Sequence, residues 1–181
     1  MSGSPFSFGT RILAGGAAIL LVFLGVGFLL PADWEAEASG RLEAAPEMVF
    51  RFLDSPEGWR EWTPWPDSGL VRNGPDRGAG SEIQWNDLEL GSGRFTIVEA
   101  VFPRRVAYAV EVGDGAMRTE GALELLPDDD GVLVSWHEKG DFGRNPLMGY
   151  WALAMDRAQS TELQKNLERL ASLLTDSVRS R

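Results

Sequence analysis

The sequence predicts an α+β domain carried behind a membrane-spanning helix, and three observations predict it. Residues Ile12 to Leu30 run without one charged side chain. Between Leu70 and Lys139, short runs of alternating character are separated by Gly-rich or acidic turns. Beyond Pro146, apolar residues return every three or four positions, the period of a helix, for about 30 residues.

The apolar run comes first. At 1.5 Å per residue it would be about 28 Å long, close to the hydrocarbon thickness of a bilayer. A buried core helix would show a polar face, and this segment has none. A cleavable signal has a shorter apolar region, usually about 7–15 residues. Ala36-Glu37-Ala38 does have the small-x-small pattern of a cleavage site, but it falls inside the expected first strand. The reading is therefore a cytoplasmic tail over residues 1–11 and a single-pass span over 12–30, with the domain outside the cytoplasm. Arg11 before the span supports that orientation under the positive-inside rule. Gly15, Gly16, Gly25 and Gly27 do not form a GxxxG motif and are taken as lipid-tolerant small residues rather than a dimer face.

The domain elements follow in order. Trp34 to Glu43 alternates as a strand. Pro46 opens a short helix with Met48, Val49, Phe52 and Leu53 on its apolar face, and Glu57 to Trp62 forms a second. Six strands are then expected: Leu70–Arg72, Ser81–Trp85, Arg94–Phe102, Arg105–Val112, Met117–Leu126 and Val132–Lys139. Their connections are short, which implies an antiparallel meander. Asn145 is the expected cap of the closing helix, whose face is drawn by Met148, Ala152, Met155, Gln159, Leu163, Leu167, Leu170 and Leu174. Gln159 is the one polar break in that stripe. Helices on one face of an antiparallel sheet make the α+β class. The domain is bounded at 33–176, leaving a tail over 177–181.

Composition removes many functions. The 181 residues carry 27 Asp and Glu against 17 Lys and Arg, a formal charge of −10, whereas a nucleic-acid binder needs a concentrated basic face. Cys is absent, so disulfides, thiolate metal sites and Cys nucleophiles are excluded. His137 is the single histidine. Asp128-Asp129-Asp130-Gly131 lacks the ligand spacing of a calcium loop and reads as a hairpin turn. GPDRGAG (74–80) does not join a strand to a helix and is no phosphate cradle. Ser135 and His137 share a strand face about 7 Å apart, too far for a nucleophile–base pair. No metal or cofactor is expected. Fifteen Arg against two Lys point to a GC-rich, bacterial genome.

Three stretches, LEAAPEMVFRFLDSPEGWREWTPW, EAVFPRRVAYAV and GVLVSWHEKGDFGRNPLMGYWALAMD, resemble the bacterial polyketide cyclase/dehydrase and lipid-transport (SRPBCC) family of the START/birch-pollen-allergen-like superfamily. The resemblance spans Asp33 to Leu174. It implies a helix-grip fold: a curved seven-stranded antiparallel sheet around the long C-terminal helix, with two short helices after the first strand and an apolar cavity between. It also implies a lipid or other hydrophobic small molecule as ligand, with catalysis in only some members.

Strand alternation then names the wall of such a cavity. Val132, Val134, Trp136 and Glu138 share the apolar face of the last strand. Ile83 with Trp85, and Val106 with Tyr108 and Val110, face inward on others, as do Met117, Thr119, Gly121, Leu123 and Leu125. Trp59, Trp62 and Trp65 are placed near the mouth, and Met148, Trp151, Ala152 and Met155 over the sheet. The expected ligand-binding set is Trp59, Trp62, Trp85, Tyr108, Met117, Thr119, Trp136, Glu138, Trp151 and Met155. Glu138 is the one inward carboxylate of a core strand. It either sits where the sheet opens to water or anchors a ligand's polar group; Arg118 and Arg94 lie on neighbouring segments and could neutralise it, although alternation puts Arg118 on the outer face.

The leading function is a membrane-anchored binding module for a hydrophobic molecule. The alternatives are a cyclase or dehydrase acting through Glu138, Tyr108 or His137, and an interaction domain with a filled interior.

Overall fold

A computed structural model describes residues 8–66, 68–88, 91–113, 115–142 and 146–179. An N-terminal helix α1 (Phe8–Leu29) precedes strand β1 (Asp33–Leu42) and the short helices α2 (Pro46–Phe50) and α3 (Pro56–Arg60). Strands β2 (Val71–Asn73), β3 (Glu82–Asp87), β4 (Gly91–Val101), β5 (Arg105–Val112), β6 (Met117–Asp128) and β7 (Gly131–Asp141) follow, and helix α4 (Pro146–Arg179) closes the chain. The expected cap Asn145 and residues 1–7 of the N-terminal tail lie outside the described residues.

The seven strands form one sheet in the order β1-β7-β6-β5-β4-β3-β2, with every pair antiparallel. Strands β2 to β7 are thus a meander, and β1 returns to the edge beside β7. The acidic segment before Gly131 is the turn between β6 and β7, where Asp128 pairs with Gly131. Between Ile97 and Glu99 the β4–β5 register shifts, a bulge that turns the exposed Val98 outward and bends the strand.

Alternation sorts the faces as expected. Val132, Val134 and Trp136 are buried while Leu133 and His137 are exposed. The core joins these to Ile83, Ile97, Val106, Leu123 and Leu125 on the sheet, Val49, Phe50 and Leu53 beside α2, and Leu163, Leu167, Leu170 and Leu174 on α4. The outer face carries ion pairs instead, among them Lys139–Glu120 at 3.0 Å and Arg105–Glu124 at 2.8 Å.

Helix α4 does more than cover apolar area. β1 is an edge strand, and its Glu35 and Glu37 N–H groups donate to Asp156 Oδ1 and Ser160 Oγ of α4, each at 3.2 Å. Two residues one turn apart on the helix therefore satisfy part of an edge otherwise open to a foreign strand.

One expectation about a helix face is corrected. Trp151 is 62% exposed and does not cover the sheet, whereas Ala152 beside it is buried and Met148 and Met155 pack against the core. Gly27 is buried against the start of α4, while Gly15, Gly16 and Gly25 have open space around them.

The α4 stripe gives a direct stability test. Leu170 is fully buried, so Leu170→Ala should lower unfolding free energy by about 2–5 kcal/mol. Thr175→Ala, on the exposed face, should leave it within about 0.5 kcal/mol. Equal denaturation midpoints for the two variants would mean the helix face is misassigned.

Candidate functional site

A cavity of 470 Å³ lies between the inner face of the sheet and α4. Its walls are Trp59, Trp65, Trp85, Phe95, Val110, Val112, Met117 and Leu163; its polar edge is Tyr108, Glu138, Gln159, Glu162 and Asn166.

The aromatic wall begins at α3. Ser55 caps that helix by accepting the Gly58 N–H at 3.2 Å. The Trp59 indole N–H donates to Leu53 O at 2.6 Å and that of Trp62 to Phe52 O at 3.2 Å. Both polar handles are thus tied to the α2–α3 connection, and both rings remain available for packing. Trp59 meets Trp62, Tyr108, Phe95 and Trp136 at ring-centroid distances of 4.7, 4.6, 5.2 and 5.6 Å. The Thr63-Pro64-Trp65-Pro66 segment forms the rim. Thr63 Oγ1 donates to Trp59 O and accepts the Trp65 indole N–H, both at 2.7 Å. Trp65 then meets Trp85 and Phe95 edge-on at 5.9 and 5.4 Å.

Glu138 sits on β7 at 8% exposure. One carboxylate oxygen accepts a hydrogen bond from the Tyr108 hydroxyl, and the other accepts Gln159 Nε2–H at 2.7 Å. The Trp136 indole N–H donates to the same Tyr108 oxygen at 2.9 Å. Tyr108 is on β5, two strands from β7. It reaches across because Gly121 is its register partner on β6 and the partner of Glu138 on the other side. A Cβ on Gly121 would lie 2.3 Å from Tyr108 Cζ, so the ring occupies the space a side chain would fill. Trp85 lies over its partner Gly93 and Trp34 over Gly140 in the same manner.

Neither candidate cation neutralises Glu138, and Arg118 is outward as alternation requires. Arg94 and Arg118 both pair with Glu111 on the outer face, Arg118 at 2.7 Å, and hold the Glu111 carboxyl below its ordinary range chiefly through the Arg94 hydrogen bond. Among the described residues no ion pair involves Glu138. Burial raises its pKa, and the bonds from Tyr108 and Gln159 offset that rise only in part. Burial first, and then the adjacent carboxylate, push the Tyr108 phenol well above its usual value, so it remains a donor.

The structure thus brings together Trp59, Trp85, Tyr108, Met117, Trp136 and Glu138 of the ten expected ligand-binding residues. Trp62 is buried behind the wall, against Trp59 and Trp136. Thr119 is half-buried on the inner face but does not line the cavity, Met155 packs against the core without lining it, and Trp151 is exposed. His137 is outward, with Nδ1 3.2 Å from Glu37 Oε1, in a charged depression on the outer face of the sheet. Among the described residues no cluster of three His, Asp or Glu side chains converges as a metal site.

Phe95 and Gln159 lack an assigned role in the sequence reading, and Gly121 appears there only as an inward position. Gln159 had a visible signal, the single polar break in the α4 stripe. Gly121 had a weaker one, a glycine in mid-strand on the inward face, which commonly marks a close approach.

A sheet of this order gripping one long helix has many counterparts. The chain is similar to an uncharacterized protein from Rhizobium leguminosarum, at 19% identity over 80% of this chain and 95% of that one, with a TM-score of 0.57. A Rhodobacter sphaeroides protein matches at 21% identity, over 79% of this chain and 93% of that one, with a TM-score of 0.55. The di-domain ARO/CYC protein StfQ of the steffimycin biosynthetic pathway matches at 13% identity, over 81% of this chain and 52% of that one, with a TM-score of 0.58. At these identities the likeness is one of fold. The comparison with curated proteins gives no match. The family model for polyketide cyclase/dehydrase and lipid transport matches residues 33–175, from the start of β1 nearly to the end of α4, and the chain belongs to that family.

Proposed function

We propose that the domain, taken as residues 33–176, binds a hydrophobic small molecule or lipid between sheet and helix, with one polar group of the ligand directed at Glu138. The observation that carries this reading is a buried carboxylate without a cation at the polar edge of an aromatic-walled space. A volume of 470 Å³ falls in the range of small-molecule sites. An apolar body would contact Trp59, Trp65, Trp85 and Phe95, and a hydroxyl, amide or amine would hydrogen-bond Glu138. Nothing in this arrangement requires turnover. A catalytic version of the reading uses the same group, with Glu138 drawing a proton from the ligand. It predicts chemical conversion of the bound ligand, which binding alone does not.

We further propose that α1 is an uncleaved single-pass anchor and that the domain is extracytoplasmic. The window Ile12–Leu29 has a mean hydropathy of 2.5 and is almost wholly exposed. Cleavage after Ala38 would remove the part of β1 that carries Trp34 and Ala36, both in the core, and that pairs with β7 from Asp141 to Trp136.

Native mass spectrometry of the full chain released from mild detergent tests the binding reading. Wild type should retain apolar molecules, Val110→Trp should lose them by filling the cavity, and Glu138→Gln should weaken retention roughly ten- to a hundredfold. Equal occupancy in all three proteins would refute it. Wild type empty throughout would favour a filled interaction domain.

The raised pKa of Glu138 makes a second test. The fold favours its protonated form, so its contribution to stability is complete below the unfolded-state pKa and is lost as pH rises through the folded value. Wild type should therefore lose stability relative to Glu138→Gln as pH rises above the ordinary carboxylate range. Parallel pH–stability curves for the two proteins would contradict the assignment.

For the anchor, the intact mass of membrane-extracted protein should include residues 1–32, and protease added to spheroplasts should digest the domain. A mature chain beginning within β1, or a fully protected domain, would overturn cleavage state and orientation respectively.

A further inference from the structure

The first three turns of α4 are unlike the rest of the helix. Pro146 to Met155 reads PLMGYWALAM, ten residues without a charge, and the first charged residue is Asp156. This part of α4 does not line the cavity, whose first helix residue is Gln159. Leu147 and Trp151, one turn apart on one face, are 52% and 62% exposed.

The same turns are docked on α1. A Cβ on Gly27 would lie 2.1 Å from the Pro146 carbonyl oxygen, and one on Gly149 would lie 2.8 Å from that of Gly27, so the two backbones meet at glycines. The Phe23 and Tyr150 rings stack in parallel at 4.4 Å, and the Tyr150 hydroxyl donates to Phe23 O at 2.7 Å. Phe23 lies six residues before the end of α1, about 9 Å along its axis. Whatever depth that part of α1 occupies, Tyr150 shares.

We propose that the first three turns of α4 insert, through Leu147 and Trp151, into the bilayer leaflet that holds the C-terminal end of α1. The inference rests on α1 being a membrane span. Its partner is the acyl-chain and headgroup boundary of lipid, where Trp and Tyr side chains are at home. An exposed apolar face elsewhere on the domain would suit another protein, but a face held laterally against a spanning helix, at that helix's own depth, meets lipid. The consequence is a domain of fixed orientation. The span and the docked turns of α4 together hold the cavity in place, where a single tether would let the domain swing.

The absence of Cys makes the test clean. Leu20→Cys, Trp151→Cys and Lys165→Cys in the full chain are each labelled with an environment-sensitive nitrobenzoxadiazole probe and reconstituted into phosphatidylcholine/phosphatidylglycerol vesicles. Quenching by doxyl-labelled lipid and by aqueous iodide is then compared. Trp151→Cys should show the blue shift and lipid quenching of Leu20→Cys, and Lys165→Cys the iodide quenching of a water-exposed site. Leu147→Cys reads the same face independently. If both α4 probes behave like Lys165→Cys while Leu20→Cys is in lipid, the insertion is wrong and the anchor stands. If Leu20→Cys is itself in water, the anchor reading fails and takes this inference with it.

Discussion

The hydrogen bond between Tyr108 and Glu138 spans two strand spacings, and that reach constrains much of the domain around it. Tyr108 can lie flat across β6 only because Gly121 offers no side chain beneath the ring. Glu138 can be buried only because Tyr108 and Gln159 satisfy both of its oxygens. The same phenol accepts the Trp136 indole N–H, and its ring is packed by Phe95 at 5.2 Å and Trp59 at 4.6 Å. One polar contact thus locates residues from α3, β4, β5, β7 and α4. A pocket built on it has a fixed polar edge and apolar walls, which favours orienting a ligand over merely dissolving it.

Helix α4 serves three chemically different neighbours along its length. Its first turns are uncharged and meet α1, Asp156 and Ser160 meet the exposed edge of β1, and the stretch from Gln159 to Asn166 meets the cavity before the leucine stripe enters the core. A single hydrophobic period cannot express these changes. The stripe through Met148, Ala152 and Met155 does face the core, yet Trp151 beside it is turned outward by the helical rotation of about 100° per residue. The aromatic side chain with the largest apolar surface on α4 is consequently the one least used by the fold.

Much of the architecture was legible in the chain itself. Turn residues between alternating runs predict a meander, and β5, expected over Arg105–Val112, has those bounds in the structure. The weak strand expected at Leu70–Arg72 is displaced by one residue, to Val71–Asn73, because a three-residue edge strand is set by its partner β3 more than by its own composition. The inward position of Glu138 also follows from alternation alone. Its environment does not: burial depends on Gln159, twenty-one residues later, and on Tyr108, thirty residues earlier, both brought near only by the sheet order.

The sequence by itself determined the faces. A two-residue period assigns every strand an inside and an outside, a period near 3.6 assigns α4 a buried stripe, and the charge-free run over 12–30 sets α1 apart from the domain, because each is a local consequence of backbone geometry. Tertiary structure decided which of those faces meet. It sent Arg94 and Arg118 to Glu111 and left Glu138 without a cation, placed Trp62 behind the aromatic wall, and closed Gly27 on Pro146. Such pairings depend on register across strands and on how two helices cross, and neither is encoded in the periodicity of any one segment.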